Sequence, residues 1–179
     1  MSSVFRLKPR GSPCWHNLNS VYVQQATAVF FRLWKILIIM LGVFTISVYA
    51  AGSFESISQP DMLPLLIKGL ISLFFILCAG YLMNDLCDIT YDLKNRPEKV
   101  FIGKIITQSA AKYVSFGFFV LGLTIGIFVN IWYIGIIVFI SGGLAIYNFF
   151  SKKLGILKDI VISLIVISIY PIALALTLG

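Results

Sequence analysis

Long apolar runs separated by short polar stretches dominate the chain, and none of them shows the alternation of a half-buried strand. Five runs, at about 29 to 51, 63 to 84, 109 to 130, 132 to 150 and 158 to 178, each reach the roughly 20 residues a helix needs to cross the hydrocarbon core at about 1.5 Å per residue. The pattern predicts an all-α fold, a polytopic transmembrane helical bundle of about five spans. The third and fourth spans form a tight hairpin around Asn130, Ile131, Trp132 and Tyr133, with the aromatic pair expected at a membrane interface. Residues 1–28 read as a polar cytoplasmic tail containing Pro9, Gly11, Ser12 and Pro13, and 29–179 as the membrane domain. Tyr49-Ala50-Ala51 resembles a signal cleavage site, but the leader before the first run is too long and the run too extended for a signal peptide.

Composition agrees with this pattern: 59% of residues are apolar, 12% are charged and the mean hydropathy is +0.97. Soluble domains carry about twice that share of charge. A net charge of +7 does not point to nucleic acid, because the basic residues lie between apolar runs and form no continuous patch. They read as topology signals. Arg6, Lys8, Arg10, Arg32 and Lys35 fall at one end; Lys94, Arg96, Lys99, Lys104 and Lys112 fall in or near the second loop, and Lys152, Lys153 and Lys158 in or near the fourth. Only Lys68 disobeys. Short cytoplasmic loops accumulate Lys and Arg, so the N-terminus is expected inside and the C-terminus outside. Cys14, Cys78 and Cys87 lack metal-type spacing, and His16, the lone histidine, sits in the leader, which excludes a histidine-based triad or zinc site. Gly122 with Gly126, and Gly142-Gly143, are expected to let helices approach closely.

Four of the seven acidic residues, Asp85, Asp88, Asp92 and Glu98, crowd the inner end of the second span. If the helix continues, Asp85, Asp88 and Asp92 share an arc of about 60°, with Asn84 at its edge. Three carboxylates on one face repel one another and call for a hard divalent cation. Mg²⁺ suits oxygen donors and is commonly completed by substrate phosphate oxygens, so a phosphate ester is the expected partner. Lys94, Arg96, Lys99 and Lys104 supply phosphate-binding donors directly downstream. The same charges also read as a solvated loop neutralising itself.

Asn84-Asp85-x-x-Asp88-x-x-x-Asp92, then Arg96-Pro97, then the glycine-led Gly103-Lys104-Ile105-Ile106-Thr107, resembles the first signature of the UbiA superfamily of intramembrane prenyltransferases. Tyr81, Tyr147 and Lys152 are similar to positions that family fills, and Asn95 to Val100 resembles members acting on glycerol phosphate or other small acceptors. The resemblance implies Mg²⁺-dependent transfer of a prenyl group from an allylic prenyl diphosphate to a lipophilic or phosphorylated small-molecule acceptor in the bilayer. It implies metal ligation and catalysis by Asp85, Asp88 and Asp92, and substrate contacts from Asn84, Arg96, Lys104, Tyr147 and Lys152. For Tyr147 an interfacial aromatic is the competing assignment. A prokaryotic plasma membrane, with the aspartates on its cytoplasmic side, is the expected setting.

The resemblance covers residues 29–179, the first part of a nine-helix fold, and no D-x-x-x-D matches the family's second aspartate motif; beyond Asp92 the acids are Glu98 and Asp159. The expectation is therefore a truncated form missing its C-terminal half, or a chain that completes its site by self-association. A non-catalytic protein that binds Mg²⁺ or prenyl diphosphate, or assists a partner, is the alternative. A CDP-alcohol transferase would need D-G-x-x-A-R, which is absent, and a cation transporter would bury its acids near the midplane.

Overall fold

The computed structural model describes residues 15–95, 100–103, 105–154 and 157–177. Among these residues seven helices follow in order: α1 (Trp15–Ala50), α2 (Phe54–Ile57), α3 (Met62–Asn95), α4 (Gln108–Ile127), α5 (Ile131–Leu154), α6 (Leu157–Ile167) and α7 (Ile169–Thr177). Among the described residues five segments are long and apolar enough to cross a membrane: Val29–Ala50, Met62–Asn95, Gln108–Ile127, Ile131–Phe149 and Asp159–Thr177. They coincide with the five expected spans.

Three boundaries differ from expectation. Helix α1 reaches back to Trp15, so half of the leader is helical. Beyond Pro13 this stretch contains neither Pro nor Gly to interrupt it. Helix α3 runs through the acidic motif to Asn95; its 34 residues span about 51 Å, well over the hydrocarbon thickness, so its last turns emerge. The last span is broken at Ser168, whose hydroxyl donates to the carbonyls of Leu164 and Ile165 at 3.0 and 2.7 Å. Pro171, which has no N–H to offer Ile167, explains the interruption.

Helix α3 is the centre of the bundle and touches α1, α4, α5 and α7. Before Asn84 its apolar residues surround the helix, as a central helix requires. Close approach to α4 depends on the glycine pair. A Cβ on Gly122 would meet the Ile76 side chain at 2.8 Å and the Ser72 carbonyl at 3.0 Å, while one on Gly126 would meet Ser72 Oγ at 3.1 Å. Ser72 Oγ in turn donates to the Gly122 carbonyl at 2.7 Å. Between apolar helices in lipid, such short polar links and small-residue contacts replace the hydrophobic drive.

Tyr133 is not the interfacial residue its sequence position implies. It is fully buried, whereas Trp132 is 71% exposed. The phenol donates to the Gly69 carbonyl at 2.6 Å, tying α5 to α3. Asn130 caps α5 by accepting from the Tyr133 N–H at 2.8 Å and donates to the Ala175 carbonyl at 2.6 Å. At the other end of the bundle, Ile89, Val100, Ile102 and Ala111 form a small second core where the connection from α3 to α4 folds back.

Candidate functional site

Continuation of α3 through the motif sets the spacing of the acids. Asn84, Asp85, Asp88 and Asp92 lie on one continuous helix and are all partly buried. Asp85 and Asp92 line one crevice together with Arg32, Ile89, Val100, Phe101 and Ile102. Asp88, one turn from each, does not line it.

Arg32 is the residue that sequence reading missed. On α1 it stands one turn before Ile36 on the stripe that continues through Val43 and Ser47, all three buried, so the same periodicity turns Arg32 inward. Its Nη2 meets Asp85 Oδ1 at 2.7 Å, with side chains 25% and 11% exposed. The guanidinium carbon also lies 5.4 Å from the centre of the Phe101 ring, a cation–π distance. Nη1 is buried and has no hydrogen-bond partner among the described residues. The sequence offered little: Arg32 falls at the edge of the first apolar run, as does the exposed Lys35, and both read as cytoplasmic cations. For Phe101 it offered no signal.

The connection beneath this crevice explains the glycine-led element of the sequence. Gly103 has φ +89°, in the left-handed region that disfavours side chains, and its N–H donates to the Ile106 carbonyl at 2.7 Å. Thr107 then caps α4, its hydroxyl accepting from the Ala110 N–H at 3.2 Å. One turn and one cap hold Phe101 and Ile102 against Arg32 and the acidic face.

On the side of α3 away from the aspartates, an apolar cleft of about 640 Å³ opens between α3, α4 and α5. Met83, immediately before Asn84, lines it, as do Gly80, Phe116, Phe119 and Gly142, with Lys112 and Asn148 among its few polar groups. Its volume and apolar lining suit a hydrocarbon chain. Tyr147 sits on α5 beside Asn148 but lines neither cleft nor crevice. Arg96 and Lys104 lie outside the described residues, as does the side chain of Lys152, which belongs to α5.

The donors on the acidic face are all oxygen, as Mg²⁺ requires. Among the described residues, however, no three His, Cys, Asp or Glu groups are gathered tightly enough to hold one metal ion. The cause is helical geometry: Asp85 and Asp92 are separated by about 10 Å along the axis, whereas neighbours one turn apart stand about 5–6 Å apart. Asp85 with Asp88, and Asp88 with Asp92, each stand one helical turn apart, so the face offers a divalent cation at most two adjacent carboxylates at a time.

Comparison with known proteins finds relatives of the chain. The model of the UbiA prenyltransferase family matches residues 38–179. Digeranylgeranylglyceryl phosphate synthase of Saccharolobus solfataricus is 28% identical over 102 residues, covering 57% of this chain and 34% of that protein. A solved structure described as a digeranylgeranylglyceryl phosphate synthase superposes with a TM-score of 0.72 at 20% identity, covering 87% of this chain and 52% of the other. The chain thus spans about a third of the curated relative and half of the solved one.

Proposed function

Since the chain belongs to the UbiA prenyltransferase family, we propose that it binds an allylic prenyl diphosphate and takes part in Mg²⁺-dependent transfer of the prenyl group to an acceptor within the membrane. The family match carries this reading, together with the single continuous helix that bears Asn84, Asp85, Asp88 and Asp92. Asp85 with Asp88, or Asp88 with Asp92, would hold the metal, and when bound it supplies charge stabilisation for the departing diphosphate. Asn84, Arg96, Lys104 and Lys152 are assigned to the diphosphate as hydrogen-bond donors and cations. Tyr147, at the inner end of α5, is assigned to the substrate side of the same region.

For the acceptor, we place a glyceryl phosphate-type lipid first, on the strength of the digeranylgeranylglyceryl phosphate synthase match and the Asn95 to Val100 sequence. The charge pattern supports an inner location for the motif in a prokaryotic plasma membrane. The family's second acidic face is assigned to a further segment or to a second copy of the chain. A reading in which the chain binds but does not turn over draws on the absence of a three-carboxylate cluster among the described residues.

Calorimetric titration of the detergent-solubilised chain with a prenyl diphosphate tests the reading. Binding is expected to require Mg²⁺ and to disappear in the Asp85→Ala/Asp88→Ala variant. Binding indifferent to Mg²⁺, or untouched by the double substitution, overturns it.

A further inference from the structure

The crevice that contains Asp85 and Asp92 encloses about 10 Å³, room for no more than about one water. A diphosphate cannot enter it as it stands. What fills the space is the Arg32 guanidinium, whose Nη2 lies 2.7 Å from Asp85 Oδ1. We infer that Arg32 is a resident counter-ion which holds the Asp85 carboxylate in place and must be displaced when a metal ion takes that carboxylate.

Three features of the site favour displacement over a permanent tie. First, a cation bound to Asp85 would stand beside the guanidinium in a confined, largely desolvated crevice, where two positive charges on one carboxylate repel strongly. Second, the guanidinium has another resting surface, since the Phe101 ring already lies 5.4 Å from its carbon. Third, Nη1 is buried with no hydrogen-bond partner among the described residues, so the group retains a donor for phosphate oxygens that the pair with Asp85 leaves unused. Arg32 is thus a positioning residue for the carboxylate before the metal arrives, and an anion contact afterwards. Metal alone opposes the pair, whereas diphosphate recruits the released guanidinium. The inference rests on the reading of Asp85 as a metal ligand.

Mn²⁺ serves as a spectroscopic probe, its free ion counted by electron paramagnetic resonance as the full chain in detergent is titrated. Arg32→Gln is expected to bind Mn²⁺ about tenfold more tightly than the parent, Arg32→Lys about threefold, and Asp85→Asn to lose the site. Inorganic diphosphate, added with Mn²⁺, should show the opposite order and bind Arg32→Gln more weakly than the parent. A merely structural arginine would not tighten one ligand while loosening the other. Unchanged or weakened Mn²⁺ affinity in Arg32→Gln, with Asp85→Asn still losing the ion, overturns the role of Arg32 and leaves the metal reading standing. Failure of the parent and every variant to bind Mn²⁺ overturns both. If Arg32→Gln does not yield monodisperse protein, Arg32→Lys decides: tightening supports the inference and its absence overturns it.

Discussion

A tyrosine hydroxyl buried among apolar helices has to find an acceptor, and Tyr133 finds the carbonyl of Gly69 at 2.6 Å. Tyr133→Phe removes the donor and leaves that carbonyl with its helical partner alone, at an expected cost of about 1 kcal/mol, measurable by thermal unfolding in detergent. Adjacent Trp132, 71% exposed, should tolerate Trp132→Leu within about 0.5 kcal/mol by the same assay. The two aromatics are indistinguishable in sequence, because interfacial and core aromatics share one composition; only the rotation of α5 about its axis separates them. Arg32 repeats the lesson with a charge. It reads as one more cytoplasmic cation, and its inward position follows from the stripe through Ile36, Val43 and Ser47, which becomes visible once the partner helices are in place.

Element by element, the connection between α3 and α4 and the glycine pair on α4 carry the sharpest consequences. Gly103→Ala forces a side chain into a φ of +89° and is expected to cost about 1–2 kcal/mol locally. Because this turn supports Phe101 and Ile102 against the acidic face, the variant should weaken Mg²⁺-dependent prenyl diphosphate binding in calorimetry while the spans remain helical by circular dichroism. Gly122→Val places methyl groups where a Cβ alone would already be 2.8 Å from Ile76 and 3.0 Å from the Ser72 carbonyl. Separation of α3 from α4 is expected to destabilise the bundle by about 2 kcal/mol, read as a lowered Tm in detergent. The G-x-x-x-G spacing announced this contact in advance. The end of α3 was announced less well: sequence hydropathy stops near Asn84, whereas backbone hydrogen bonding continues through the polar motif to Asn95.

For the molecule as a whole, the cleft between α3, α4 and α5 is an apolar space of a size that suits a prenyl chain. A Cβ on Gly142 meets nothing within 4 Å, although the residue lines the cleft. Gly142→Leu should therefore fill cleft space without straining the helix. If prenyl chains lie there, excluding about two methylenes weakens binding of long-chain diphosphates by about tenfold and spares short-chain ones, as a calorimetric series over chain length would show. Equal affinity across the series would place the chain elsewhere.

The sequence by itself determined that this is a helical membrane protein of five spans, that three carboxylates share a helical face, and that the family signature surrounds them. Those properties depend on local periodicity and composition, which solvent and lipid select residue by residue. Tertiary structure alone decided that Arg32 meets Asp85, that Asp92 lines their crevice while Asp88 does not, that Tyr133 is core, and that an apolar cleft opens between α3, α4 and α5. Each of these depends on how one helix is rotated and seated against another, a choice made by packing among residues distant in the chain.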